Sequence, residues 1–291
     1  MFFIEQVKTS KVSLPPRTGT VMNSNMLLFA LLSLLCWVSP ADTGKISFRF
    51  TSQHTKPIKP IRMSMVLEAV DDMYFGCNKT MAKTVNKYFE RENENEMFQT
   101  AWKTAERCTN RKQKENKALG RHHIQAICVY TSSYKDFYKS FNEHVRNDRS
   151  RYRPEPAQTS FPFHFMHFWL TSAIQILSDN MNCHTTYRRT NLHFTAKLNH
   201  IVRFGFFASS SFKTTLYRFG KKTCFEIKTC SGAFLGNYSY LGTEEEEVLI
   251  PPYELFMVAK GPRVEGLSDC EVVIILQSVG VQSNLNCKAV Y

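Results

Sequence analysis

Among its nine cysteines the 291-residue sequence has no C-x₂₋₄-C pair; the closest spacing is Cys224 to Cys230, which argues against zinc. No finger or helix-turn-helix pattern organises the scattered basic residues (Lys112, Lys114, Arg121, Arg146, Arg149, Arg151, Arg153). The formal charge of +12 therefore does not point to nucleic acid, although it can favour anionic ligands. No internal repeat is visible, which excludes a solenoid. The apolar run Met26–Val38 holds 13 residues, too few for the roughly 20 of a spanning helix. With 43% hydrophobic and 21% charged residues the chain is not a disordered one. Its length allows one large domain or two small ones, either with a sizeable core.

Small and turn residues, "SPADTG", follow the apolar run. A short run with this ending reads as a secretory signal that is removed. The expected division is a signal region over 1–44 and a single domain over 45–291. Either translation begins at Met22 or Met26, or the signal is unusually extended. Cys36 lies inside this region, which leaves Cys77, Cys108, Cys128, Cys183, Cys224, Cys230, Cys270 and Cys287. An even count in an exported chain implies a disulfide framework whose connectivity one sequence does not give. Asn78-Lys79-Thr80 and Asn237-Tyr238-Ser239 are glycosylation acceptors on the same route.

From about Met65 to Asn182 the apolar spacing is helical. Phe137, Tyr138, Phe141 and Val145 recur at three- and four-residue steps, as do Phe165, Trp169, Ala173 and Leu177. Asn147 to Gln158, with Pro154 and Pro156, reads as a charged connector. After Cys183 the pattern changes to short β-branched and aromatic runs: "IVRFGFFAS", "TCFEIKTC", "EEVLIPPYELFMV" and "CEVVIIL". The expectation is an exported α+β domain, helical at the front and β at the back. Within it "TEEEEVLIPPYELF" (Thr243–Phe256) runs four glutamates into a strand. Strand alternation would set Glu245 and Glu247 on one face, about 7 Å apart, with Glu244 and Glu246 on the other. Two carboxylates on one face can divide an acid/base role from a charge-stabilising one.

"YRR" (Tyr187–Arg189), "RFGFFASSSF" (Arg203–Phe212) and "EEEEVLIPPYELF" follow one another in the β half. Together they resemble the arginine-specific ecto-ADP-ribosyltransferases, which carry an arginine on one strand, a Ser-x-Ser segment on the next, and Glu-x-Glu before Val-Leu-Ile-Pro-Pro. "DDMYFGC", "ICVYT", "FPFHFMHFWLTSAIQIL" and "SNLNC" extend the resemblance over about Met65 to Tyr291. It implies a helical N-terminal part packed on a sheet core of the ADP-ribosyltransferase type. It also implies transfer of ADP-ribose from NAD, as substrate and without metal, to protein arginines, with release of nicotinamide. By this resemblance Arg188 anchors the NAD diphosphate, a contact suited to a planar guanidinium. Ser209 holds the nicotinamide ribose. Glu247 accepts from the ribose 2′-hydroxyl and stabilises the oxocarbenium-like state. Glu245 orients the incoming guanidinium and takes its proton. Tyr130 and Ser239 line the NAD pocket, although glycosylation at Asn237 then needs that side chain turned outward.

The resemblance also pairs Cys77 with Cys287 and Cys183 with Cys230; the four left over suggest Cys108 with Cys128 and Cys224 with Cys270. Two residues depart from the family pattern. Arg189 stands where glycine is usual, and alternation along "TTYRRT" turns it away from Arg188 and outward into solvent. Phe206 stands where glutamine is frequent. No second apolar run follows Cys287, so the expectation is a secreted protein without a stable membrane anchor. Its partners would be NAD and arginine-containing extracellular or secretory-pathway proteins. Two alternatives stay open: an NAD glycohydrolase, and a catalytically weak NAD-binding secreted protein of the same fold.

Overall fold

The structure, a computed structural model, describes residues 59–115, 118–132, 134–154, 160–178, 182–262 and 264–291. The expected signal region 1–44, and the expected domain start at 45, lie outside the described residues.

Among the described residues seven α-helices precede the β half: α1 (Asn78–Thr84), α2 (Asn86–Glu92), α3 (Glu96–Thr104), α4 (Glu106–Glu115), α5 (Arg121–Thr131), α6 (Phe137–Asn147) and α7 (His164–Leu177). Their apolar stripes do what helical spacing demands. Phe137, Phe141 and Val145 of α6 are buried, as are Phe165 and Ala173 of α7. Tyr138 belongs to the α6 stripe by spacing yet is only half-buried. The first turn of α7 is satisfied from elsewhere: the buried Glu92 carboxylate accepts from the backbone N–H of Phe165 at 2.5 Å and of Met166 at 3.2 Å. Its oxygens serve N–H groups that lack intrahelical partners, while burial raises the Glu92 pKa well above the ordinary 4.5 against the pull of these two bonds. The connector is less open than its charge suggested, because Tyr152 is buried and donates to Asp72 Oδ2 at 2.8 Å.

The β half begins where the sequence changes. Its strands are β2 (His184–Thr190), β3 (Phe194–Thr195), β4 (Ile201–Val202), β5 (Ala208–Ser211), β6 (Thr223–Thr229), β7 (Ala233–Phe234), β8 (Glu247–Ile250), β9 (Glu254–Ala259) and β10 (Val272–Val281), with β1 (Ile61–Arg62) ahead of the helices. β1 pairs with β3, and the other eight form one sheet in the order β4-β9-β10-β6-β2-β5-β8-β7. Only the β10–β6 pairing in that sheet is parallel. Helices and sheet share the larger core, to which the sheet region contributes Phe207, Ala233 and Leu249. The other sheet face buries Phe225, Ile227, Phe256 and Leu276 in a second core. Phe206 packs against both, and Arg146 stacks over its ring at 5.6 Å.

All eight described cysteines are paired: Cys77–Cys287, Cys108–Cys128, Cys183–Cys230 and Cys224–Cys270. This is the expected scheme. The C-terminal segment is also held by charge. Asp71, fully buried, accepts from Arg203 Nη1 at 2.7 Å and from the N–H groups of Asn284 and Leu285 at 2.9 and 3.0 Å.

Candidate active site

β2 and β5 register through one pair, Tyr187 opposite Ser211. Arg188 then spans the gap between them, its Nη1 donating to the Ser209 carbonyl at 2.5 Å. A cavity of about 480 Å³ opens there, lined by Arg188, Ser209, Glu245 and Glu247 together with Tyr130. Five residues read from four separate motifs thus meet at one opening. Tyr130 comes from the last turn of α5 and donates to the Phe207 carbonyl at 2.5 Å. The next residue, Thr131, accepts from Tyr240 N–H at 2.8 Å, so the end of α5 also fixes the start of the acidic turn. Ser239 does not line the cavity; it stands behind Glu247 and donates to Oε2 at 3.0 Å.

The two glutamates do not share a strand face by alternation, as expected from the sequence. β8 begins only at Glu247; residues 241–245 form a turn, and Glu246 has φ +44°. Four adjacent carboxylates would repel in a regular strand, and the turn spreads them among cations. Glu246 lies 3.4 Å from Lys213 Nζ, which also donates to the Glu244 carbonyl at 2.7 Å. Glu245 pairs with Arg218. The Ser-x-Ser spacing has its use here. Ser211 Oγ donates to the Glu245 carbonyl at 2.5 Å, while Ser209, two residues back, lines the cavity.

Glu247 is buried, and that desolvation raises its pKa above the ordinary 4.5; hydrogen bonds from Ser209 and Ser239 and the charge of Arg188 pull the other way, against the added push of Glu245. A carboxylate so placed is ionised above its raised pKa and loses its charge as pH falls through it. Where kcat/KM needs the ionised form, its acid limb lies above 4.5. Ser239→Ala removes one hydrogen bond that favours ionisation, so the limb is expected to move further up. A pH profile of the variant with its acid limb unmoved or lower would contradict this.

Arg189 corrects a second expectation. It is buried rather than solvated, its side chain running to the loops beside β2 although the residue still borders the cavity. Its Nε donates to the Thr214 carbonyl at 2.6 Å, Nη2 to the Gly266 carbonyl at 2.8 Å, and Nη1 and Nη2 both reach the Asp269 carboxylate at 2.9 Å. The Tyr217 ring lies 4.6 Å from the guanidinium. The loops that receive it were not visible in alternation. Phe206 is not a lining residue. The expected conflict at Asn237 also dissolves. Gly236–Tyr238 is a 3₁₀ turn, so Asn237 is exposed while Ser239 points inward.

Sequence reasoning missed several cavity residues: Asn142, Tyr138, Lys213, Arg218 and Phe219. Asn142 Nδ2 donates to the Tyr130 hydroxyl at 3.0 Å and to the Phe207 carbonyl at 3.1 Å, so α6 and α5 grip the same peptide. Tyr138 alone had left a signal, as a polar-tipped member of an apolar stripe. Among the described residues no group of three or more His, Cys, Asp or Glu side chains could hold a metal ion.

A sequence profile described as "NAD:arginine ADP-ribosyltransferase" matches residues 63–284. The chain belongs to the NAD:arginine ADP-ribosyltransferase family. T-cell ecto-ADP-ribosyltransferase 1 of Mus musculus is 34% identical over 252 residues, 83% of each chain. The erythroblast NAD(P)(+)–arginine ADP-ribosyltransferase of Gallus gallus is 33% identical over 91% of this chain and 86% of its own. A mutant of the eukaryotic mono-ADP-ribosyltransferase ART2.2, solved in complex with NAD, superposes with a TM-score of 0.67 at 29% identity, covering 78% of this chain and 99% of that one. The α+β class and the sheet core expected from the sequence are those of this ADP-ribosyltransferase fold. The activity of an NAD:arginine ADP-ribosyltransferase is transfer of ADP-ribose from NAD to arginine, with NAD as a substrate.

Proposed function

We propose that the cavity between β2, β5 and the acidic turn performs this transfer with Arg188, Ser209, Glu245 and Glu247. The observation that carries the reading is their convergence on one opening of about 480 Å³, within the range of small-molecule sites. Arg188, Lys213 and Arg218 give that opening cations for a diphosphate. Arg188 anchors the diphosphate, and Ser209 holds the ribose beside Glu247. As the bond between ribose C1′ and nicotinamide breaks, the Glu247 carboxylate accepts from the 2′-hydroxyl and stabilises the positive charge on the sugar. The acceptor guanidinium then attacks C1′, nicotinamide leaves, and Glu245 takes the proton. Arginine is otherwise always protonated, so a base at this place is required. Tyr130 supports the pocket by holding the Phe207 peptide, and Ser239 supports Glu247.

The protein acts outside the cytoplasm, at or beyond the cell surface, as the ecto-enzymes among its relatives do by name. We place it as a secreted protein that modifies arginines of extracellular or secretory-pathway proteins. The pairing of all eight described cysteines favours such an oxidising compartment. No helix among the described residues is long and apolar enough to cross a membrane. Asn78 and Asn237 are the acceptor sites for glycans on this route.

The test is incubation of purified protein with labelled NAD and agmatine, with agmatine adduct, free ADP-ribose and bound NAD all measured. Adduct as the main product is the expected result. Free ADP-ribose alone would make the protein an NAD glycohydrolase, and bound NAD without turnover would make it a binding protein.

A further inference from the structure

The segment 212–220 joins β5 to β6 and forms one wall of the cavity through Lys213, Leu216, Arg218 and Phe219. Beyond Phe212, whose N–H reaches the Glu246 carbonyl at 3.3 Å, its backbone hydrogen bonds are short-range: Phe219 N–H to the Leu216 carbonyl at 3.1 Å and Gly220 N–H to the Tyr217 carbonyl at 3.0 Å. Lys213 and Arg218 tie it to the acidic turn, which is itself a loop. At its start Phe212 packs on His184 of β2 and Phe234 of β7, and Lys213 N–H donates to Ser211 Oγ of β5 at 2.9 Å. Further along, its tie to the sheet runs through Arg189 on β2. The Thr214 carbonyl accepts from Nε, and the Tyr217 ring packs on the guanidinium.

From Arg189 the tie continues into a second loop. The Gly266 carbonyl and both Asp269 oxygens take the remaining donors, so all the guanidinium nitrogens are engaged. The two loops touch closely at this point. Gly266 has φ +78°, and a Cβ there would lie 2.4 Å from Thr214 Oγ1, a contact only glycine permits. Beside it Cys270 bonds to Cys224 of β6, which anchors the 264–270 loop to the sheet. The guanidinium also holds the Asp269 carboxyl below its ordinary value of 3.8, so the pair stays charged across neutral pH.

We infer that Arg189 and Asp269 are positioning residues, a latch that holds the 212–220 wall in place for NAD. Neither residue acts on the reacting atoms. Their effect runs through the wall, above all through Arg218, and the inference rests on this cavity being the NAD site. A bidentate carboxylate fork fixes orientation as well as distance, which a wall contacting a diphosphate needs.

The test uses the full disulfide-bonded protein and three variants: Asp269→Asn, Arg189→Lys and Arg189→Gly. Asp269 is partly exposed, so Asp269→Asn keeps the fold even if Arg189→Gly does not. Asp269→Asn is expected to raise KM for NAD about fivefold with kcat within about twofold. Amide hydrogen exchange is expected to quicken over 212–220 and to stay unchanged in β6 and β10. Arg189→Gly is expected to exceed about tenfold in KM, with Arg189→Lys between the two because an ammonium lacks the fork. Unchanged KM overturns the proposal, including when exchange quickens, because the pair is then a structural tie alone. If the native protein binds NAD without transferring it, the reading of the reaction fails, and the NAD dissociation constants of the same variants decide the latch separately.

Discussion

Glu247→Gln is expected to abolish both ADP-ribose transfer and NAD hydrolysis, with a loss of at least about 10²–10³-fold in kcat. The expectation follows from where this carboxylate sits. It opens β8, is buried, and accepts from Ser239, so its charge is fixed in a poorly hydrated place. Charge developing on the ribose meets it whether the attacking group is a guanidinium or water, and both reactions fail without it. Glu245→Gln is expected to differ in kind. That side chain lies on the turn, more accessible than Glu247, and holds a guanidinium already, that of Arg218. Its loss should remove arginine transfer and spare a measurable part of the hydrolysis. Glu244→Gln and Glu246→Gln change side chains outside the cavity lining, so effects within about 0.5 kcal/mol are expected. Assays of agmatine adduct and free ADP-ribose on all four variants decide it. Equal losses of both products in Glu245→Gln and Glu247→Gln would sink the proposed division of roles.

The largest expected effect on stability is that of removing the Cys77–Cys287 bond. It closes a loop of 210 residues, and the chain-entropy model assigns such a loop about 4–5 kcal/mol. Against a typical total of about 5–15 kcal/mol, the double Cys→Ser variant should sit near the edge of folding. The native contacts at this junction survive the substitution: Asp71 still meets Arg203, Asn284 and Leu285, and the Asn286 amide still reaches the Phe75 carbonyl at 2.9 Å. The loss is therefore expected to come from the freed unfolded chain, as a lower denaturation midpoint with little change in the native near-ultraviolet spectrum. A loss under about 1 kcal/mol would contradict the loop-closure account. Peptide mapping without reductant that joined Cys77 to another cysteine would contradict the pairing itself.

Arg188, Ser209 and the two glutamates were legible because each lies in a short motif whose order along the chain is itself distinctive. The change from helical to β spacing near Cys183 was equally plain, since side-chain periodicity is local. What the sequence concealed depends on approach between distant segments. Asn142 matters because α6 packs where it can grip the Phe207 peptide, and nothing near residue 142 announces that. Arg218 lies on a loop whose direction is set by Arg189 and by the acidic turn. Arg189 shows the limit of alternation, which names the face of a strand but not what covers it. Glu245 shows another limit, because a period of two assumes a strand, and the turn with its left-handed Glu246 delays the strand to Glu247.

The Arg218–Glu245 contact makes acceptor binding an exchange reaction. On the proposed reading, an arriving arginine does not meet a bare carboxylate; it displaces a guanidinium of the same charge and shape. The displaced Arg218, already more than half exposed, is left free for the diphosphate, and Glu245 stays neutralised throughout. Little net affinity is then available from Glu245 itself, so isolated arginine gains almost nothing over the resident side chain. Discrimination has to come from what surrounds the arginine on its own protein. Tyr217 and Phe219 flank Arg218 in sequence, Tyr240 and Leu241 open the turn that carries Glu245, and all four are exposed, offering apolar surface rather than charge. Choice of acceptor becomes a question of which proteins present an arginine amid side chains that such a rim can cover.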